Sequence, residues 1–374
     1  MSALQPALDR HHYVDEASWL VERDRALLPT WTCVGRLDEL GLAEPGSGRL
    51  TPKRRAVIDL LGESVIVTTD ASGTPRAFAN VCRHRGSQLV PVDPAAEPPV
   101  ACGAQSLRCP YHSWTYDLTG RLLRTPHADG VDHDAFSLHA LSADTWGGWL
   151  WVAGRSDAGT LADSLGQVPD RLRRYPLASL VTGSRLTYQV EANWKVLAEN
   201  YNECYHCGPV HPELTRLVPA FGGGGADLDW EGGVPHRDGA WTFTLSGDSR
   251  RAPFPELDDA ERTRHKGELV YPNLLLSLSA EHVAGFRLRP LGVARTEVVC
   301  ELLFAPDEVA RPDFDHTDAT SFWDLVNRQD WAICESVQRG MSSRYYTGGW
   351  YAPMEDASLD IRRWLLPRLA TRKD

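Results

Sequence analysis

No stretch of 18 apolar residues occurs in the sequence, so a membrane-spanning helix is not expected. Basic charge is scarce: 39 Lys and Arg stand against 50 Asp and Glu, a net −11, which argues against an electrostatic grip on nucleic acid or anionic lipid. Residues 1–25 lack a basic segment followed by an apolar one, so no secretory signal is read and a cytoplasmic location is expected. There is no internal repeat. There is also no Cys-x4-Cys-x2-Cys ferredoxin pattern and no Gly-x-Gly-x-x-Gly opening a helix, so neither a plant-type ferredoxin module nor a dinucleotide-binding fold is read. Neither a lysine nor a helix start follows Gly222–Gly225, which argues against a phosphate cradle.

What is present is a chain of 374 residues, long enough for two or three domains with a sizeable core. At 42% hydrophobic and 24% charged, its composition is that of a globular protein. The eight cysteines are Cys33, Cys82, Cys102, Cys109, Cys204, Cys207, Cys300 and Cys334. A chain of this length needs no disulfide staples, so reduced thiols are expected, and cysteines near histidines point first to metal.

The pattern predicts a helix over 14–28, then a β-rich region with strands at 65–69, 76–81, 114–116, 121–123 and 149–152. Residues 154–159 are polar and mark a domain boundary. Beyond it, strands are expected at 186–190, 241–245, 274–278 and 298–304, and a helix over 320–341. The second half therefore reads as α+β, a mostly antiparallel sheet with long helices against it.

Two short pairs carry the first chemistry: Cys82-Arg83-His84 and Cys109-Pro110-Tyr111-His112, each just after a strand and beside a turn. Two Cys and two His can hold a tetrahedral zinc, or a Rieske 2Fe–2S cluster with Cys on one iron and His on the other. A zinc finger keeps its cysteines together and its histidines together on a helix. Here each loop offers one of each, so each would contribute to both irons.

The second constellation begins at residues 193–212. Glu199, Glu203 and His206 fall at i, i+4 and i+7, one face of a helix that Gly208-Pro209 would break, leaving His211 free to turn back toward His206. On the helix 320–341, Phe322, Val326, Ile333 and Val337 form an apolar stripe that contains Asp330. A carboxylate there is costly unless paired or metal-bound. Arg328 or Arg339 could pair with it. Alternatively it completes a 2-His-1-carboxylate set with His206 and His211, which leaves positions for O2 on iron(II).

Cys82-Arg83-His84-Arg85-Gly86 and Cys109-Pro110-Tyr111-His112-Ser113-Trp114 resemble the Rieske domain of ring-hydroxylating and N-demethylating oxygenases. The resemblance covers nearly the whole chain, including Leu28 to Arg36, Trp146-Gly147-Gly148-Trp149, and Asn327 to Gly340, which is similar to the betaine- and carnitine-type branch. The 24 residues between His84 and Cys109 are more than the family usually has, through a Pro-rich insertion from Val90 to Ala101, and Ser113 replaces the family's usual Gly. Cys102 is read as a bystander.

The resemblance implies an N-terminal arm over 1–40, an all-β Rieske domain over 41–158, and a helix-grip (START-like) catalytic domain with an antiparallel sheet over 159–374. It implies Cys82, His84, Cys109 and His112 as 2Fe–2S ligands and His206, His211 and Asp330 as ligands of mononuclear Fe(II). Glu203, where most members have Asp, implies the quaternary-amine branch and a bridge to a Rieske His of a neighbouring subunit in a homotrimer. Glu199 is a further hydrogen-bond partner for the site, and Cys204 and Cys207 are read as helix packing beside the iron. The implied activity is O2-dependent hydroxylation and N-demethylation of a methylated amine such as glycine betaine, with electrons from NAD(P)H through a separate flavin or ferredoxin reductase. Ten aromatics in the second half (Phe221, Trp230, Trp241, Phe243, Phe286, Trp331, Tyr345, Tyr346, Trp350 and Tyr351) could include a cage for a quaternary ammonium. An aromatic ring-hydroxylating dioxygenase alpha subunit, a Rieske electron carrier and a helix-grip binding protein with structural zinc are the alternatives.

Overall fold

The computed structural model describes residues 4–92, 105–226 and 228–370. Most of the Pro-rich insertion, residues 93–101, and Cys102 lie outside the described residues. The chain divides into two units. One comprises Leu27–Ser164 with Leu177–Leu180; the other comprises Met1–Ala26, Leu165–Pro176 and Val181–Asp374.

The Leu27–Ser164 unit is built on β1 (Thr32–Arg36), β2 (Arg55–Leu60), β3 (Glu63–Thr69), β4 (Pro75–Ala79), β5 (Leu107–Arg108), β6 (Thr115–Tyr116), β7 (Leu122–Arg124), β8 (Ala140–Trp146) and β9 (Trp149–Ala153). Six strands form an antiparallel sheet in the order β1-β9-β8-β4-β3-β2, and β5-β6-β7 form a smaller one. The β-branched run of β3 feeds two cores, because successive side chains leave opposite faces of a strand. Val65 and Val67 pack with Leu150 and Val152 on one face, and Ile66 packs with Phe78, Cys82 and Cys109 on the other.

Gly147 and Gly148 form the two-residue turn between β8 and β9, both with positive φ (64° and 85°), as tight hairpins require. A Cβ on Gly148 would lie 2.5 Å from the Arg36 guanidinium. That guanidinium is buried, stacks over Trp149, and donates to the carbonyls of Gly147, Leu177 and Leu180.

The other unit carries β10 (Val181–Val190), β11 (Val234–Pro235), β12 (Arg264–Val270), β13 (Leu274–Leu278), β14 (His282–Gly292) and β15 (Arg295–Phe304). They form one antiparallel sheet in the order β10-β15-β14-β13-β12-β11. Its helices include α1 (Glu16–Glu22), α2 (Trp194–Tyr201), α3 (Cys207–Val210), α4 (Pro212–Leu217), α5 (Thr317–Ser342) and α6 (Leu359–Leu369). The α+β class and the antiparallel sheets agree with the sequence reading. No helix among the described residues is long and apolar enough to cross a membrane.

Three expectations change. The helix expected over 14–28 is α1 followed by a π-helical turn, Arg23–Leu27. Leu20 and Val21 face solvent while Trp19 and Glu22 are buried. The register follows from Glu22, whose carboxylate receives Lys195 Nζ at 2.8 Å and Trp194 Nε1 at 2.7 Å inside the protein. Residues 241–245 alternate like a strand but form a bend, because Thr242 and Thr244 turn inward to Glu281 and the Asp248 carbonyl, and Leu245 is exposed. On α5 Phe322 and Val326 are buried as expected, alongside Trp323, Asn327, Cys334, Gln338 and Met341, whereas Ile333 and Val337 are exposed. Asp330 falls at the helical spacing of that stripe, so the argument about its burial holds, with Cys334 and Gln338 in place of Ile333 and Val337.

Candidate active site

The two Cys-His loops have the same local build. The Cys82 N–H donates to the Ser87 carbonyl and the Gly86 N–H returns to the Cys82 carbonyl. The Cys109 N–H donates to the Trp114 carbonyl and the Ser113 N–H returns to the Cys109 carbonyl. Each turn needs a left-handed residue, Gly86 at φ 75° and Ser113 at φ 62°. Both thiols are free and buried, while His84 and His112 are exposed with ring centroids 4.7 Å apart. Burial pushes the Cys82 thiol up against the opposing bond from the Tyr116 hydroxyl, and the neighbouring Cys109 raises it further. Two adjacent thiols set inside and two imidazoles set outside suit a cluster whose two irons take different ligands. They do not form the single tetrahedron of a zinc finger.

The second cluster is assembled from three places. The structure ends α2 at Tyr201, so Glu203 and His206 lie beyond the helix, which corrects the expectation of one continuous face through Glu199, Glu203 and His206. The chain breaks at 202–206, whereas Gly208-Pro209 sits inside α3 because a proline is tolerated in a helix's first turn. His211 caps the start of α4. Donor atoms of His206, His211 and Asp330 then lie within 4.8 Å of one another.

Each imidazole is held by its other nitrogen. His206 Nδ1 meets Glu203 Oε1 at 2.5 Å and His211 Nδ1 meets Gln329 Oε1 at 2.8 Å, and both acceptors call for a proton on Nδ1. That leaves the two Nε2 lone pairs aimed at Asp330 Oδ1, at 3.3 Å and 2.9 Å. Two lone pairs and a carboxylate oxygen repel unless a cation sits among them, so this donor set fits a 2-His-1-carboxylate metal. With only protons available, burial works against charging His206, but the Asp330 and Glu203 carboxylates outweigh it and push its pKa up to about 9. Burial works against ionising Asp330, yet His206 and His211 hold it below the usual carboxylate range. Arg328 pairs with Asp324 and Arg339 with Glu335, so neither takes Asp330.

Glu203 is fixed further by the backbone N–H groups of Tyr205 and His206. Glu199 does not join this cluster. It accepts from the hydroxyls of Tyr13 at 2.5 Å and Tyr351 at 2.8 Å. Cys204 and Cys207 are buried, as packing would have it, but they are joined in a disulfide, which corrects the expectation of reduced thiols. The Cys207 N–H donates to the Cys204 carbonyl, a turn that brings the two side chains together around His206.

A cavity of about 380 Å³ opens over His206, His211 and Asp330. Of the ten aromatics singled out above, Phe221, Trp230, Phe243, Phe286 and Trp331 line it, and the other five do not. Sequence reasoning missed Tyr201 and Trp323 on its wall, and also Asn200, whose amide lies 3.3 Å from His206 Nε2. It missed Gln329, which is in turn held by Glu213 at 3.1 Å. Adjacency to Asp330 was the one available signal for Gln329.

Known proteins resemble this chain along most of its length. It is 28% identical over 412 residues to the glycine betaine monooxygenase oxygenase subunit of Chromohalobacter salexigens, covering 98% of this chain and 87% of the relative. It is 26% identical over 347 residues to the carnitine monooxygenase oxygenase subunit of Escherichia coli, covering 90% and 84%. Among solved structures, a quaternary ammonium Rieske monooxygenase, CntA, superposes with a TM-score of 0.73 at 21% identity, covering 97% of this chain and 96% of the other. Naphthalene 1,2-dioxygenase from Rhodococcus reaches 0.71 at 19% identity, covering 99% and 95%, so the shared fold does not distinguish their substrates. Residues 30–135 match the Rieske [2Fe-2S] domain, and residues 177–371 match the ring hydroxylating alpha subunit (catalytic domain). With the Rieske domain first and a catalytic domain spanning more than half of its length, this chain belongs to the ring-hydroxylating alpha-subunit family of oxidoreductases.

Proposed function

We propose that this chain is the oxygenase component of a Rieske monooxygenase that oxidises a methylated amine. The observation that carries the reading is the convergence of His206, His211 and Asp330 beneath an aromatic cavity. The two relatives named above are monooxygenases of glycine betaine and of carnitine, both methylated ammonium compounds. Cys82, His84, Cys109 and His112 would hold the 2Fe–2S cluster, and His206, His211 and Asp330 would hold Fe(II), which when bound supplies O2 activation.

This chain's own residues orient the donors and the substrate. Glu203 and Gln329 keep the Nδ1 protons of His206 and His211, so that both Nε2 lone pairs face inward. Glu203, anchored by two backbone N–H groups, is the bridge toward a Rieske His of a neighbouring copy in a homotrimer. The faces of Tyr201, Trp230 and Phe286 receive the ammonium head by cation–π attraction. The net reaction joins one O2, two electrons and two protons with an N-methyl C–H bond to give N–CH2OH and water. The hydroxymethyl group then leaves as formaldehyde and frees the amine. The electrons come from NAD(P)H through a separate flavin or ferredoxin reductase, and the site of action is the cytoplasm.

The test is turnover of the iron-loaded protein with a surrogate reductase against methylated amines and aromatic acids. Formaldehyde matching O2 uptake with a methylated amine is the expected result. Ring hydroxylation of an aromatic acid without formaldehyde would replace this reading with that of an aromatic dioxygenase.

A further inference from the structure

The cavity over His206, His211 and Asp330 is lopsided in charge. Apart from Glu203 and Asp330, which belong to the candidate iron site, Arg171 is the one Arg or Lys among the described residues that line it, against Glu231, Glu268 and Asp360, of which Asp360 is paired with Arg363 at 2.8 Å. Moreover, Arg171 is already engaged. Its Nε donates to Glu268 Oε2 at 3.0 Å and a terminal nitrogen donates to Glu268 Oε1 at 2.6 Å. This fork-on-fork geometry uses both oxygens of the carboxylate and one whole edge of the guanidinium. The pair is mostly shielded, with the Glu268 side chain 15% exposed and that of Arg171 30%. Glu231, also on the wall, adds a second negative charge in the field of Arg171.

No other Lys or Arg side chain among the described residues on the wall supplies a second positive charge. The nearby His265 is buried, and burial keeps its imidazole neutral. Its Nδ1 has no protein partner, which leaves an unfilled polar atom suited to a hydroxyl or an N–H rather than to an anion. The Tyr201 hydroxyl donates to the Leu276 carbonyl and Trp323 Nε1 to His282, so both are committed. Trp331 Nε1 is uncommitted but uncharged. Away from the iron position, a ligand carboxylate entering here must share the guanidinium of Arg171 with Glu268, whose charge already offsets it, or do without a positive side-chain partner. An ammonium head without a carboxylate meets neither obstacle.

We infer that the Arg171–Glu268 pair makes this site discriminate against zwitterionic betaines, so that its substrate is a methylated ammonium ion lacking a free carboxylate. This rests on the methylated-amine reading above and narrows it. Glu268 is then a specificity-determining residue: it neutralises the guanidinium that would otherwise anchor an acid.

The experiment compares choline, a quaternary ammonium alcohol, with glycine betaine, its carboxylate counterpart. Both are titrated into the iron-loaded enzyme by calorimetry, and formaldehyde or aldehyde release is followed in parallel. Wild type should bind choline at least about tenfold more tightly than glycine betaine, as a pocket with one opposed charge discriminates. Glu268→Gln preserves the shape and frees Arg171, so it should tighten glycine betaine and weaken choline until the order reverses. An intact Rieske visible spectrum checks that the variant is folded, and the wild-type ratio does not depend on it. Equal or tighter wild-type binding of glycine betaine, or an unmoved ratio in folded Glu268→Gln, overturns the inference while leaving the methylated-amine reading intact. Oxidation of aromatic acids with no turnover of either ammonium compound overturns both.

Discussion

Asp330 Oδ1 lies 2.9 Å from His211 Nε2, although 119 residues separate the two in sequence. The contact ties the middle of a 26-residue helix to the chain segment just before α4, and it closes the candidate iron site. Asp330→Asn keeps the shape and removes the charge that balances a dication. About one iron of three per chain should be lost by metal analysis, with the Rieske visible spectrum retained and turnover falling at least roughly 100-fold. Loss of the Rieske spectrum in this variant would show that the two centres are not separate.

Gln329 acts one step away, through the Nδ1 proton of His211. Gln329→Leu leaves that imidazole free to turn and to change tautomer. Iron affinity measured by chelator competition should fall about 10- to 100-fold, the usual effect of removing an orienting partner. An unchanged affinity would mean that packing alone fixes the ring.

The iron-free protein should lose stability as the pH rises. The His206 pKa is raised in the folded state to about 9 from an ordinary 6.5. A raised folded pKa gives stability that is complete below 6.5 and lost as the pH climbs through 9, here up to roughly 3 kcal/mol. Urea unfolding between pH 6 and 9.5 should reveal this slope in iron-free protein. Iron occupying the Nε2 position should flatten it, and identical slopes with and without iron would count against metal binding at His206.

Glu199 predicts a second pH effect, elsewhere in the same unit. Burial, against the bonds from Tyr13 and Tyr351, raises its pKa to about 7 from 4.5. The stability it contributes is present below 4.5 and is lost as the pH rises through 7. Glu199→Gln cannot ionise, so it should be the more stable protein at pH 8, by on the order of 2 kcal/mol, with the difference vanishing near pH 4.

Lys195 and Glu22 test the packing beneath the site. Both side chains are almost wholly buried, and their bond fastens α1 to α2. Lys195→Met strands the Glu22 carboxylate, which should cost about 3–5 kcal/mol in chemical unfolding. The double change with Glu22→Leu should recover most of that loss.

The sequence was most legible where local chemistry is self-contained. The Cys-His loops read directly, because each pair lies on one short turn whose spacing is its geometry. The β-branched run at 65–69 and the leucine-rich run at 274–278 also read well. Side chains committed by distant partners were harder to read. Glu22 set the register of α1 by meeting Lys195, and Thr242 and Thr244 bent a strand-like segment by bonding to Glu281 and the Asp248 carbonyl. In the site, His206, His211 and Asp330 could be nominated because donor types and the burial of a charge are visible in a sequence. Gln329, Asn200 and the locked Arg171–Glu268 pair could not, since their roles depend on rotamers and on which strand lies opposite.

Arg36 has a practical bearing on anyone who would cut this protein apart. Its guanidinium sits over Trp149 and binds carbonyls at Leu177 and Leu180, beyond the excursion of Leu165–Pro176 into the other unit. A fragment trimmed after Ser164 would deprive a buried cation of those acceptors, and expression trials should find it poorly soluble. A working electron-transfer module must be spliced from two pieces of chain, so the boundary is a matter of hydrogen-bond ownership and not of linear order.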